Sequence, residues 1–586
     1  MRLVPNLLAT ISGYAFTVFA VGVFYSLQNA AAQGWADLGF DWLALDAWSR
    51  LHESKEGLVG GALTLLLACT ADLLPSSFLP ALWIRKAVNL FSKPLAWLTL
   101  LACAYLLPPA IASASQPDAP KGAPNILFVL VDTWRADHAG FLGYSRNVSP
   151  GLDELAQEGA IFETTVAQSG WTKPTVATLF TGLVPSVHGA VSQPIPGMTI
   201  HGTELPPDRT TFVEVFRARG WDTAMWSNNP NILPAHGFGQ GAGYFRSFVG
   251  ESVGERFDAG RAEWMLPEVE TWLASREEGR PFCAYVHIMD PHYPYVAPEP
   301  FAGTFDQSGL DFQLDGALIG DYLEGRKDIS EVTPAMLQRI IDIYDEELLY
   351  VDHYLTPFLR KIRREHPNTL IVLVGDHGEE FLEHGQFGHG HSIYEELVRV
   401  PLVLWGPGVP PQRQALPARQ MDVLPTLMEL AEVQSEPLVQ KIQGSSLVNI
   451  LQGQESQKRM VPMESGGDQR PPWHWRGISD GEWKVILREK DLPCAKSIPV
   501  LSKKDAGTQA PWTLLFHLAT DPGELQDLSA EQPSLLRQWM TYLEQSGWLF
   551  SPTTILQLGT SEGGVGADLE LLKQLGYIDA EDVSGQ

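Results

Sequence analysis

Cysteine is scarce in this chain. Four occur in 586 residues, Cys69, Cys103, Cys283 and Cys494. No two have C-x-x-C or zinc-finger spacing, which excludes a disulfide-stapled scaffold and a thiolate metal site. A Cys283–Cys494 bridge and two separate buried thiols both fit the sequence, and the thiols are the expectation. Positive charge is the second shortage. Lys and Arg total 41 against 69 Asp and Glu, a net charge of -28. A surface of that sign repels a phosphate backbone, so no nucleic acid is expected as a partner. Charged residues make up only 19% of the chain and hydrophobic ones 45%, which excludes a disordered polymer and implies a sizeable core. The length suits one large domain with additions, or two or three ordinary ones.

Long apolar runs cluster before the first charged domain. Val4 to Leu27 is nearly uncharged and long enough to cross a bilayer, and Gly57 to Leu74 and Pro94 to Ala112 are two further candidates. A single cleaved signal peptide would not leave two more such runs behind it. Arg2 precedes the first run, Asp37, Asp41 and Asp46 follow it, and Arg85, Lys86 and Lys93 precede the third. The positive-inside rule then places the N-terminus and the basic loop in the cytoplasm. About three transmembrane helices within 1–112 put everything after Ala112 on the extracytoplasmic side, periplasmic or extracellular, with the lipid bilayer as a partner. Residues 113–124, small, polar and proline-rich, read as a linker.

Beyond the linker the pattern changes. Asn125 to Val131, N-I-L-F-V-L-V, is a continuous apolar run of strand length and ends in Asp132. Thr369 to Val374 is another, followed by Gly375, Asp376 and His377; Pro281 to Met289 is a third, followed by Asp290, Pro291 and His292. Asp222 to Trp226 and Pro401 to Trp405 are shorter candidates. Such runs suit strands buried on both faces. Helical patterns lie between them, at Pro150 to Gly159 and Pro334 to Ile362. Alternation of this kind predicts an α/β domain with a mostly parallel sheet, and such sheets bind ligands at the carboxyl ends of their strands. An Asp after a strand is ordinarily the cap of the next helix, and a lone His there is ordinarily a hydrogen-bonded loop residue. Asp132 beside Asp376 and His377 differs, because a carboxylate pair buried near a sheet edge is costly unless a cation or a base compensates it.

Ser169 to Gly182, S-G-W-T-K-P-T-V-A-T-L-F-T-G, supplies a hydroxyl. Pro174 reads as the first helical residue and Gly182 as the stop. Thr172 then sits at a helix N-terminus, where free N–H groups and the dipole favour anions. It is read either as an N-cap or as a nucleophile toward a phosphate or sulfate ester. Two Asp, one His and a Thr oxygen make an N/O shell that suits Zn²⁺ or Mn²⁺ better than Ca²⁺ or Mg²⁺. Lys173 is expected to face solvent, as most lysines do.

Taken together and in order, these segments resemble the sulfatase branch of the alkaline phosphatase superfamily. The residues that carry the resemblance are N-I-L-F-V-L-V-D-T-W-R-A-D-H, G-Y-S-R-N-V-S-P-G-L-D-E-L-A, W-T-K-P-T-V-A-T-L-F-T-G, D-H-G-E-E-F-L-E-H-G-Q-F-G-H-G-H-S-I-Y-E-E-L-V-R-V-P-L, M-D-V-L-P-T-L and L-F-H-L-A-T-D-P-G-E. They span roughly Asn125 to Asp579. The resemblance implies a large mixed, mostly parallel sheet with helices on both faces, in a catalytic domain at 125–455. A small C-terminal α+β subdomain and tail follow at 456–586. It implies a divalent metal held by Asp132, Thr172, Asp376 and His377, with Thr172 at the nucleophile position and His292 contacting the ester. His389 or His391 falls near a further contact position, and His389 is the favoured one.

Two departures from the family pattern stand out. Sulfatases carry Cys or Ser, matured to formylglycine, followed by a helper Arg. Here the five positions read Thr172, Lys173, Pro174, Thr175 and Val176. Threonine cannot become formylglycine, so the group must pass to water or to an acceptor. Asp132 is followed by Thr133 where two adjacent Asp are usual, and this reduced shell resembles that of membrane-anchored phosphoethanolamine transferases. The resulting expectation is a membrane-anchored, metal-dependent hydrolase or phosphoryl transferase acting on phosphate esters, with a lipid or glycan ester as substrate. The alternatives are a sulfuric ester hydrolase lacking formylglycine and a non-catalytic binding protein on the same fold.

In the tail, W-H-W-R-G-I-S-D-G-E-W-K-V-I-L alternates as strands do, and Trp473, Trp475 and Trp483 are expected to pack rather than to bind sugar. Pro533 to Leu549 reads as a closing helix. Leu571 to Tyr577 resembles the family's terminal helix and turn.

Overall fold

The computed structural model describes residues 118–191, 204–250, 260–277, 279–312, 314, 316–323, 326–433, 442–465, 473–490 and 512–545. The three apolar runs, Cys69, Cys103, Cys494 and the segment Leu571 to Tyr577 lie outside the described residues. Among the described residues, no helix is long and apolar enough to cross a membrane. Cys283 is a free, buried thiol.

Eight strands form the central sheet. In chain order they are β1 (Asn125–Val131), β2 (Ala160–Phe162), β3 (Asp222–Ser227), β4 (Tyr244–Ser247), β5 (Phe282–Ile288), β6 (Thr369–Gly375), β7 (Leu402–Trp405) and β8 (Gln412–Gln414). Their spatial order is β8-β2-β7-β6-β1-β5-β3-β4. Every strand runs the same way except β7, which pairs antiparallel with both of its neighbours. The sheet is therefore mixed and mostly parallel, as expected. β1 lies at its centre because Ile126 to Val131 are apolar and buried on both faces. Leu127, Val129 and Val131 enter one core, and Ile126, Phe128 and Leu130 enter the other.

Helices cover both faces. The first core holds α1 (Pro150–Ala156), α4 (Ala262–Ser275) and α5 (Pro334–Glu365). The second holds α2 (Thr172–Thr181), α3 (Phe212–Arg217) and α6 (Val423–Leu430). α5 starts where Thr333 accepts a hydrogen bond from the Met336 N–H, and it lays Tyr344, Leu348, Val351, Leu355 and Leu359 on the sheet.

α2 begins two residues earlier than the proline implied. Trp171 is the cap, Thr172 is the first helical residue and Pro174 the third. Proline is still tolerated there, because first-turn N–H groups have no intrahelical partner. Gly182 ends the helix in the left-handed region at φ 66°, as read from the sequence. Lys173 does not face solvent. It is fully buried, because α2 is enclosed along its whole length, with every residue from Thr172 to Thr181 buried.

A second, four-stranded antiparallel sheet follows: β9 (Val461–Ser465), β10 (Trp473–Ser479), β11 (Trp483–Lys490) and β12 (Trp512–His517). Helix α7 (Pro533–Gln545) closes one face through Trp539 against Ile478, Val485 and Leu515. Trp475 packs beside Tyr394, Leu397 and Phe516, and Trp483 packs at the edge of the Trp539 cluster.

Candidate active site

The parallel register puts the two acids side by side. Val131 on β1 is level with Gly375 on β6, so the residues that follow, Asp132 and Asp376, leave the sheet together. His377 comes next. All three side chains are fully buried, and one ligand atom from each lies within 4.8 Å of the others.

Hydrogen bonds sort the oxygens of the pair. Asp132 Oδ2 accepts from Asn229 Nδ2 at 2.8 Å and meets His287 Nε2 at 2.9 Å. Asp376 Oδ1 accepts from the N–H groups of Thr133 at 3.0 Å and His377 at 2.8 Å. The remaining oxygens, Asp132 Oδ1 and Asp376 Oδ2, have no hydrogen-bond partner. Both face His377 Nε2, at 3.6 and 3.4 Å. His377 Nδ1 donates to the Gly378 carbonyl at 2.8 Å, so Nε2 carries the lone pair. Two ligand atoms on a tetrahedral centre with bonds of about 2.1 Å stand roughly 3.4 Å apart, so this donor set fits a small divalent cation.

Electrostatics agree with that fit. Burial, and then the Asp132 charge, push the Asp376 carboxyl well above its ordinary range. Burial and the nearby Glu379 do the same to Asp132, against the Asn229 hydrogen bond. Burial holds His377 well below an ordinary imidazole, and His287 at about 4. Two dry carboxylates with no counter-charge are an unfavourable pair, and a cation among them reverses the sign of that interaction.

Thr172 joins this group. Its Oγ1 lies 3.1 Å from His377 Nε2. A close backbone approach sets that position: a Cβ on Gly170 would stand 2.6 Å from the Ser392 carbonyl oxygen, and the Gly170 carbonyl accepts from the Gly390 N–H at 2.8 Å. The turn before α2 is thereby pressed onto the loop that carries His389. The His389 ring lies 4.4 Å from that of His377 and 4.9 Å from that of His292. His389 Nδ1 meets Glu379 Oε1 at 2.8 Å, and His292 Nδ1 donates to the Tyr293 carbonyl at 2.6 Å. Burial lowers the His389 imidazole to about 3 and that of His292 well below its usual value, and it raises Glu379 to about 8. His391 turns instead to Glu380, at 2.6 Å. The fold thus brings together Asp132, Thr172, His292, Asp376, His377 and His389, and it separates the two candidates at 389 and 391.

Three neighbours escaped the sequence reading. Asn229 and His287 fix Asp132, and Glu379 holds His389. Asn229 follows β3, and the strand-end rule used for Asp132 applies to it equally. His287 is an imidazole inside an otherwise apolar strand, and its register beside Leu130 aims it at Asp132. Thr133 is also unusual: a β-branched residue at φ 52°, a conformation that turns its N–H onto Asp376.

The sulfatase family model matches residues 124–433. This chain belongs to the sulfatase family. A choline-sulfatase of Rhizobium meliloti is 25% identical over 465 residues, covering 70% of this chain and 83% of its own. An ulvan-active sulfatase of Formosa agariphila is 23% identical over 380 residues, covering 60% of this chain and 69% of its own. The solved phosphonate monoester hydrolase of Agrobacterium radiobacter shares the fold with a TM-score of 0.54 and 18% identity, covering 75% of this chain and 99% of its own. Sulfatase-family proteins are hydrolytic enzymes of a superfamily that uses a divalent metal. In this sulfatase-family chain the acids and the imidazole that fit a cation lie at the carboxyl edge of the sheet.

Proposed function

We propose that this chain is a metal-dependent hydrolase or transferase of anionic esters with Thr172 as its nucleophile. The observation that carries the reading is the 3.1 Å contact between Thr172 Oγ1 and His377 Nε2, inside the group formed with Asp132 and Asp376. Asp132, Asp376, His377 and Thr172 would hold the ion, with Zn²⁺ or Mn²⁺ the best match to an N/O shell. A bound divalent cation supplies a lowered hydroxyl pKa and stabilisation of developing negative charge.

The chain's own residues do the rest. Thr172 Oγ1, its hydroxyl proton given up to solvent, forms a bond to the central phosphorus as the bond to the leaving oxygen breaks. N–H groups at the start of α2 point toward the charge that develops. The Glu379 carboxyl, raised to about 8 and so protonated at neutral pH, passes its proton to His389 Nδ1 as the proton on His389 Nε2 goes to the departing oxygen, and the pair later takes one back from the incoming water or acceptor alcohol. His292 contacts the ester oxygens. Attack on the phospho-threonine then breaks the Oγ1–phosphorus bond and restores Thr172.

A second reading, a sulfuric ester hydrolase that works without formylglycine, is favoured by the names of the relatives, which are sulfatases. Paired assays with an aryl phosphodiester and an aryl sulfate separate the two. In either case Thr172→Ala is expected to lower turnover by about 10³-fold or more and to abolish covalent labelling by substrate. Retained turnover and labelling would remove Thr172 from the mechanism. We also propose that the apolar N-terminal runs anchor the enzyme in a bilayer with this domain on the extracytoplasmic side. That placement supports a lipid or glycan ester as substrate.

A further inference from the structure

Two acid–imidazole pairs come from the same two stretches of chain, and proton transfer to the departing oxygen uses only one of them. Glu379 meets His389 Nδ1 at 2.8 Å, and the next residue, Glu380, meets His391 Nε2 at 2.6 Å. A short antiparallel ladder sets this up. Glu380 is level with Gly388 and Phe381 with Phe387, so His389 emerges opposite Glu379. Glu380 and His391 are both buried. Glu380 does more than face His391, because its Oε1 accepts from the backbone N–H of His384 at 3.0 Å and of Gln386 at 2.7 Å. One carboxylate therefore grips the chain three residues before His389 and two residues after it. The turn between the two strands is tight: Leu382 lies at φ 70°, and its N–H donates to the Gln386 carbonyl at 2.9 Å.

The hold on His391 is strong and single. Burial would lower its imidazole, but the Glu380 charge and hydrogen bond outweigh burial and raise it, so the contact is charge-assisted. The other ring nitrogen, Nδ1, has no hydrogen-bond partner. We propose that Glu380 and His391 are positioning residues that fix where His389 delivers its proton to the departing oxygen. The inference rests on the reading of His389 as the proton donor. Proton transfer needs hydrogen-bond reach, and a small displacement of the donor costs much of its effect. The cost depends on the ester: 4-nitrophenolate departs without help, whereas the more basic phenolate needs the proton. A displaced nucleophile, a lost metal ion or a smaller folded fraction would instead slow both esters alike.

The test assays the metal-loaded full chain with 4-nitrophenyl and phenyl esters, each as a phosphodiester and as a sulfate. His391→Leu and Glu380→Gln are expected to lower kcat for the phenyl ester by about 10- to 100-fold and for the 4-nitrophenyl ester by no more than about threefold. KM and metal content are expected to stay as they are, because neither residue belongs to the metal trio. His391→Gln returns an N–H donor near the Nε2 position and is expected to recover most of the loss. Glu380→Gln keeps the shape of the side chain and carries the test if His391→Leu does not fold. Equal losses on the two esters, or none, in the folded His391→Leu and Glu380→Gln variants would overturn the positioning role. His389→Gln is the control. A selective loss on its phenyl ester sustains the donor reading, and an equal loss on both esters would overturn that reading and the positioning inference with it.

Discussion

Two oxygen atoms, Asp132 Oδ1 and Asp376 Oδ2, carry the argument at the scale of the residue. Each sits on a carboxylate whose other oxygen is saturated by hydrogen bonds, and each faces the same imidazole nitrogen. Such a centre is stable when loaded and strained when empty. Chelation is therefore expected to lower the melting temperature, since a cation at one hundred times its dissociation constant stabilises the fold by about 2.7 kcal/mol. Asp376→Ala is expected to remove most of this shift and to weaken metal binding strongly. Differential scanning with and without chelator, alongside elemental analysis, checks both. An unchanged melting curve in chelator would show that the trio holds no ion. Asn229 and His287 act one step away, by leaving Asp132 a single usable oxygen.

Among the elements, α2 and the segment 389–396 decide the geometry together. Strand-end rules locate Asp132, Asp376 and His292 separately, but only the contact between Gly170 and the 390–392 backbone brings Thr172 under His377. Any side chain at position 170 must push one of these elements away, because its first carbon would meet the Ser392 carbonyl at 2.6 Å. Gly170→Ala is expected to cost about 1–3 kcal/mol, read as a lower denaturant midpoint. Turnover is expected to fall further than stability does, since the displaced loop carries His389. Equal losses in the two readouts would mean that the contact serves stability alone.

On the whole-molecule scale, the small sheet is tied to the loop behind the site by buried charge. Lys484 on β11 pairs with Glu395 at 2.9 Å and Glu524 at 3.0 Å, and no part of its side chain is exposed. Beside them His384 stacks on Tyr394 at 3.6 Å, meets Glu396 Oε1 at 2.7 Å and reaches the Glu524 carbonyl at 3.3 Å. Burial alone would lower this imidazole, but the Glu396 hydrogen bond and charge outweigh it and raise it to about 9. Because the folded value lies above the unfolded one of about 6.5, the stabilisation is complete below pH 6.5 and is lost as pH rises toward 9. Denaturation midpoints are expected to fall across that window by at most about 3 kcal/mol, and His384→Gln is expected to flatten the decline. A decline of equal size in the variant would assign it to other groups.

The sequence by itself determined the strands and the ends of the strands. β1, β5 and β6 are predominantly apolar runs of strand length, and such runs suit strands buried on both faces, so their position and the acids or imidazoles that follow them were readable without coordinates. It also determined the family, because widely spaced motifs occur in a fixed order. Tertiary structure alone decided which groups meet. Burial of Lys173, the start of α2 at Thr172, the choice of His389 over His391, and the work of Asn229, His287 and Glu379 all depend on contacts between segments far apart in the chain. Local propensity carries no information about such contacts, since each is set by sheet register and by the packing of one backbone against another.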